Sequence, residues 1–276
     1  MQKIGVSERI LLDVCDNELC SFEMFDPAKK YDAILIGLDT EITLDLWEEY
    51  GCPMILSPTT NISYIPMELW GNVIKLNPKE VTNVSATAEH SFGLFLAACR
   101  KMGNDLSAGR EVWMGRQVAG MNAAIFGYGR IGTKLKGYCS AFDMNVKMFD
   151  KNNTYWDKIE QIKWADVIFI SMTYDEETKN FFHMDLIDYF KRGQIIVNTS
   201  RAQIVNKELL LKCIDDGIWS YACMDFINYE DKPHDLDEEL KKRENIIMTP
   251  HIAGNTKESL KIAVETVVGE FLEEAE

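Results

Sequence analysis

Residues 123–132 read Ala-Ala-Ile-Phe-Gly127-Tyr128-Gly129-Arg130-Ile131-Gly132. An apolar run meets three glycines spaced G-x-G-x-x-G, and a helix-forming run over 133–142 follows. Gly127 permits a tight strand-to-helix turn, Gly129 lets backbone approach a pyrophosphate, and Gly132 lets the helix lie close to the sheet. The helix start then offers unpaired N–H groups and partial positive charge to phosphate. A second apolar run, Val146–Phe149, ends in Asp150. A carboxylate there accepts hydrogen bonds from a ribose diol and repels a 2′-phosphate, which favours NAD over NADP. The alternative is an ordinary glycine turn with no dinucleotide, and the strand, helix and acid together weigh against it.

Further short apolar runs follow at Val167–Ile170, Ile195–Val197, Tyr221–Met224 and Ile246–Met248. Most are rich in β-branched residues and follow polar ones, as buried parallel strands do. Between them, Lys207–Asp216 reads as a helix stopped by Gly217. Strands alternating with helices predict a doubly wound parallel sheet of Rossmann type. Ala88–Met102 reads as a long apolar helix, and Gly103–Arg116 as an exposed connection. The runs Ala33–Ile36 and Met54–Leu56 belong to a second, smaller α/β unit. The final stretch, Lys257–Glu274, carries a stripe of Leu260, Ile262, Ala263, Val267, Val268, Phe271 and Leu272. That stripe needs a cover, and the N-terminal unit is the candidate. Residues 1–88 with 257–276 are expected to form one domain, and 89–256 the dinucleotide-binding domain.

A chain of 276 residues with 46% hydrophobic residues buries a core without disulfide or metal staples. A net charge of −15 argues against non-specific binding to nucleic acid or anionic membrane. No apolar run reaches the ~18–20 residues of a membrane span, and no secretory h-region is seen near the start. Cysteine is odd in number at 7 and has no CxxC pair, which points to a reducing, cytoplasmic compartment. Cys15 and Cys20 lack a second ligand pair, so no metal site is expected.

Three more motifs close successive strands: Asn198-Thr199-Ser200-Arg201, Asp225 through Glu230, and Thr249-Pro250-His251-Ile252-Ala253-Gly254. Ligands of open α/β sheets bind beyond the strands' carboxyl ends, where these residues would converge. Of the 4 histidines, only His251 directly follows a strand. His90 near a helix start reads as structural, His183 among Phe181, Phe182 and Met184 as packing, and His234 in an acidic loop as solvated.

With these motifs in order after Thr87-Ala88-Glu89-His90, the chain resembles the NAD-dependent D-2-hydroxyacid dehydrogenases over about residues 54–270. The resemblance implies a flavodoxin-like substrate domain beside the Rossmann domain and hydride transfer between NAD and a small 2-oxo or D-2-hydroxy acid. It implies that Arg201 grips the substrate carboxylate, that His251 moves the proton, and that Glu230 supports His251. It places Gly127, Gly129, Arg130, Ile131, Gly132, Asp150, Met172, Thr199, Asp225, His251 and Gly254 along the cofactor. Thr60 and Asn61 fall on the loop that approaches substrate. A homodimer through the long helix after Ala88 and the connection at Gly103–Arg116 is also implied. Departures from the family pattern are Ala202 for glycine, Ser171-Met172-Thr173 for His-x-Pro, Asn206 for aspartate, and Asn61 and Pro66 for a glycine and an aspartate. The alternative is an NAD(H)-sensing scaffold like the corepressors built on this fold, against which Arg201, Glu230 and His251 together argue.

Overall fold

The structure, a computed structural model, describes residues 1–37, 40–51, 53–59, 62, 65–77, 84–102, 114–226, 229 and 236–275, with the side chain of Ile10 left out. The chain divides into two compact units, Met1–Asn83 with Asn255–Glu276, and Val84–Gly254.

The first unit runs β1 (Gln2–Val6), α1 (Arg9–Leu12), β2 (Cys20–Met24), β3 (Ala33–Leu35), α2 (Leu44–Glu49), β4 (Met54–Ser57) and β5 (Val73–Lys75). Its five strands are parallel in the order β2-β1-β3-β4-β5, the flavodoxin-like arrangement. Ile34, Ile36 and Ile55 pack with Ile42, Ile65 and Leu69 on one face. Ile4, Val6, Leu35 and Leu56 form the other face.

The second unit holds α3 (Val84–Arg100), β6 (Asn122–Phe126), α4 (Arg130–Ala141), β7 (Asn145–Phe149), α5 (Tyr155–Trp164) and β8 (Val167–Ile170). It continues through β9 (Gln194–Asn198), α6 (Lys207–Asp215), β10 (Trp219–Met224), α7 (Glu238–Lys241) and β11 (Ile246–Met248). All six strands are parallel, in the order β11-β10-β9-β8-β6-β7. The central strands β6, β8 and β9 are buried almost throughout because both faces are covered, whereas the edge strand β7 exposes Asn145 and Lys147. Ala124, Phe126, Ile168, Ile170 and Ile196 join the core that includes Ile159 and Ile162 of α5 and Leu209 and Leu210 of α6. Ala123, Ile125, Val167, Phe169 and Val197 join the core with Phe92 and Phe95 of α3 and Leu135 of α4.

Two helices differ from their sequence bounds for local reasons. α3 starts before Ala88 and stops at Arg100, where Lys101 turns left-handed with φ 52°. The Met102 N–H then bonds the Ala97 carbonyl, a Schellman ending with lysine in glycine's place. α4 starts at Arg130, inside the glycine fingerprint, because Gly129 is its N-cap. Of the expected connection, 103–113 lie outside the described residues, and Met114, Gly115 and Arg116 are exposed.

Helix α8 (Lys257–Glu274) returns to the first unit. Ala263, Val264, Val267, Val268 and Phe271 cover Ile4, Val6, Leu35 and Leu56. The buried stripe includes Val264 and leaves Ile262 49% exposed, a correction to the expected face. The helix buries positions 263, 264, 267, 268 and 271, one turn-spaced stripe to which 262 does not belong.

Candidate active site

Every strand of the second unit delivers a polar or glycine-rich segment at its carboxyl end. Gly127 follows β6, Asp150 follows β7, Ser171 follows β8, Thr199 follows β9, Asp225 follows β10 and Thr249 follows β11. The strand order reverses around β6, and a crevice at such a switch point is where open α/β sheets bind ligands.

The glycine turn is tightly specified. Gly127 has φ +113°, and a Cβ there would lie 2.5 Å from the Ser171 carbonyl oxygen. Its N–H donates to the Phe149 carbonyl at 2.8 Å, and its own carbonyl accepts from Ser171 Oγ at 3.0 Å. A Cβ on Gly132 would overlap the Gly127 carbonyl oxygen, so the close approach of α4 to the turn requires glycine. Gly129 differs. Its φ of −86° is ordinary, and a Cβ there would meet nothing within 4 Å. The protein's own atoms therefore do not demand glycine at this N-cap, whereas a ligand backed against the start of α4 would. Gly129 caps α4 with no side-chain hydrogen bond, and a helix start offers its first-turn N–H groups to an anion. These features fit a dinucleotide pyrophosphate.

Asp150 and Met172, both half-buried, flank the turn. One Asp150 oxygen accepts the Asn152 N–H at 2.8 Å, and the Asp150 N–H donates to Asn153 Oδ1 at 2.8 Å. The acid is thus held at the strand end by its own loop.

Arg201 is presented by a side-chain turn. Buried Asn198 accepts the Ser200 N–H at 3.0 Å and donates to the Arg201 carbonyl at 2.9 Å. The Arg201 guanidinium donates to the Ser200 carbonyl at 3.0 Å. Ala202, which stands where the family pattern has glycine, is fully buried at the start of a short 3-10 turn. Asn206 caps α6 by accepting the Leu209 N–H at 2.9 Å, a bond that an aspartate would also make.

Asp225 is 3% exposed, and its carboxylate organises the turn after β11. Oδ1 accepts from Thr249 Oγ1 at 2.6 Å and from the Ile252 N–H at 2.8 Å. Oδ2 accepts from the Ala253 N–H at 2.7 Å. Between these anchors His251 is exposed and left-handed, with φ +56°. A side chain with a Cβ in that region costs of order 1 kcal/mol, held here by the carboxylate around which the turn folds. Gly254, half-buried, closes the segment.

The structure therefore gathers Gly127, Gly129, Arg130, Ile131, Gly132, Asp150, Met172, Thr199, Arg201, Asp225, His251 and Gly254 along one sheet edge. Glu230, Thr60 and Asn61 lie outside the described residues. Sequence reasoning gave no role at the site to Asn198, to Ser171 or to two adjacent residues of α3. His90 Nε2 lies 2.9 Å from Thr249 Oγ1 and 3.7 Å from Asp225 Oδ1. Ser91 Oγ lies 2.5 Å from Thr199 Oγ1. The signal available was the polar run Glu89-His90-Ser91 ahead of the apolar stretch of the helix.

Residues 92–253 match the family profile described as D-isomer specific 2-hydroxyacid dehydrogenase, NAD binding domain. The chain is 29% identical over 258 residues to D-3-phosphoglycerate dehydrogenase of Archaeoglobus fulgidus, covering 86% of this chain and 48% of that one. It is 26% identical over 287 residues to D-lactate dehydrogenase of Staphylococcus aureus, covering 90% of this chain and 84% of that one. It thus spans about half the length of the archaeal relative. A solved structure of Salmonella D-lactate dehydrogenase shares its fold with a TM-score of 0.83 at 19% identity, over 100% of this chain and 97% of that one. NAD is the cofactor of the matched domain, and its glycine turn, open N-cap and strand-end acid are all present here. The profile spans more than half of the sequence, and the chain accordingly belongs to the D-isomer specific 2-hydroxyacid dehydrogenase family.

Proposed function

We propose that the protein is an NAD-dependent oxidoreductase that interconverts a small 2-oxo acid and its D-2-hydroxy acid. The observation that carries this reading is the turn after β11, which the buried Asp225 carboxylate folds so that His251 stands exposed at the ligand-binding edge. NAD(H), when bound, supplies the hydride chemistry at substrate C2. Gly127, Gly129 and the first turn of α4 hold its pyrophosphate, with Arg130 and Ile131 in that turn, and Asp150 takes the ribose diol. Met172, Thr199 and Gly254 line its path.

Arg201 binds the substrate carboxylate through a planar fork of donors that matches two carboxylate oxygens. In reduction, protonated His251 gives its proton to the carbonyl oxygen as C2 becomes tetrahedral. In oxidation, neutral His251 takes the proton from the hydroxyl. By the family pattern, Glu230 would be the carboxylate partner that supports the His251 imidazole. Asp225 acts on His251 through the turn. Thr60 and Asn61 contribute to the substrate side.

Two further parts of the reading concern the whole protein. The chain forms a homodimer through α3. Support comes from an apolar hollow of about 250 Å³ between α3 and α4, lined by Phe92, Gly93, Leu96, Tyr138, Ala141 and Phe142 with Glu89 at its edge. The protein works in the cytoplasm, which suits the free thiols of Cys15, Cys20, Cys99, Cys139, Cys213 and Cys223. No described helix is long and apolar enough to cross a membrane.

The test is NADH oxidation by the purified protein against a panel of 2-oxo acids, with NADPH in parallel. At least one acid is expected to be reduced, with NADH preferred. His251→Gln is expected to lower turnover by about 10²–10⁴-fold, the usual contribution of a general acid–base, while NADH binding persists. NADH binding without turnover of any acid, or full turnover by His251→Gln, overturns the assignment.

A further inference from the structure

We infer that His90 is a positioning residue for His251, acting through Thr249 and Asp225; this rests on the reading of His251 as the proton-moving group. His90 lies on α3, 159 positions before Thr249, and its Nε2 reaches the Thr249 hydroxyl at 2.9 Å. The hydroxyl has one hydrogen and two acceptors in view, Asp225 Oδ1 at 2.6 Å and the Met224 carbonyl at 3.3 Å. A carboxylate accepts only, and the shorter contact takes the hydrogen. The hydroxyl oxygen is then an acceptor toward His90, which sets the proton on His90 Nε2. One directed chain results: His90 donates to Thr249, Thr249 donates to Asp225, and Asp225 holds the N–H groups of Ile252 and Ala253. Bonds aligned in this sense strengthen one another.

His251 sits inside that chain. Thr249 on one side and Ile252 and Ala253 on the other are all tied to one carboxylate, and His251 is left-handed between them. Without the His90 donor, the Thr249 hydroxyl can turn to the Met224 carbonyl, which takes a donor from Asp225 and loosens the turn. The neighbouring residue extends the same device, since Ser91 bonds Thr199 in the segment that leads to Arg201. Consecutive side chains of α3 thus brace both segments assigned to the chemistry.

The chain has only 4 histidines, so their ring Cε1–H signals can be resolved and assigned one by one by substitution. In the parent protein, ring ¹⁵N shifts are expected to show His90 protonated at Nε2. His90→Phe is expected to move the His251 signal and to lower kcat roughly tenfold to a hundredfold, as a small displacement of a reacting group does, with NADH affinity unchanged. His90→Gln keeps an N–H donor at similar reach and is expected to restore both readouts. Thr249→Val, which keeps shape and loses the hydroxyl, is expected to reproduce the His90→Phe result with His90 in place. A His251 signal unmoved in both His90→Phe and Thr249→Val overturns the inference, as does His90→Gln behaving like His90→Phe. The spectra need no substrate, so they decide the positioning role even where a parent inactive on every 2-oxo acid has overturned the dehydrogenase reading.

Discussion

Glycines 127, 129 and 132 share a motif but not a physical reason. Gly127 needs φ +113° and room beside Ser171, and Gly132 needs contact with the Gly127 carbonyl. Gly129 needs neither, and the proposed cofactor is what would constrain it. Gly132→Ala is expected to destabilise the second unit by about 1–3 kcal/mol, because the added methyl must push α4 off the turn. Gly129→Ala is expected to leave stability within about 0.5 kcal/mol. It is expected to weaken NADH binding by about tenfold or more, the worth of a hydrogen bond to a charged phosphate group. Thermal unfolding and NADH fluorescence titration, run on both variants, check the contrast. The motif was legible because its spacing is local. The different reasons for its glycines were not, because they depend on what each Cβ would meet.

At the scale of elements, α5 shows how a helix start and its burial carry opposite electrostatic consequences. Thr154 and Asp157 form a capping box, and the hydrogen bonds from Thr154 hold the Asp157 carboxyl below its ordinary range. One turn on, Lys158 is buried with its ammonium on the Phe181 carbonyl at 3.0 Å and 4.1 Å from the Phe181 ring centroid. Burial lowers its pKa from 10.5 to about 8. Between those values the unfolded chain holds a proton that the folded chain has released, so stability from this group rises with pH across the window. Lys158→Met is therefore expected to raise the unfolding midpoint at pH 7 by roughly 2–4 °C. That gain shrinks as pH rises above about 8 and is gone above 10.5. An unfolding-midpoint series from pH 6 to 11 checks both the sign and the window. Strand positions in this unit were legible from short β-branched runs. The start of α4 and the end of α3 were not, because each is set by a cap, Gly129 in one case and left-handed Lys101 in the other.

On the scale of the whole molecule, the apolar hollow between α3 and α4 is the feature that a second copy would cover. Phe142 stands at its rim, 44% exposed, with its ring 4.8 Å from that of Phe92. Sedimentation equilibrium is expected to give twice the chain mass of 31.6 kDa. Phe142→Asp is expected to return it to the single-chain mass, because an unpaired carboxylate buried in an apolar interface costs several kcal/mol. With a net charge of −15, a dimer formed by this face is expected to tighten at raised salt, where like-charge repulsion between copies is screened.

The sequence by itself determined the alternation of strands and helices, the two α/β units, the glycine turn and the family. Each is written in residues close together along the chain, through glycine spacing, β-branched runs and strand-end motifs. Tertiary structure decided which face of α8 is buried, with Val264 in and Ile262 out. It also decided that His90, read from sequence as structural, reaches the turn of His251 through Thr249 and Asp225. The His90–Thr249 contact joins residues 159 positions apart. No local period or spacing encodes it; it forms only when α3 packs across the sheet and brings a helix side chain to the ends of strands made much later in the chain.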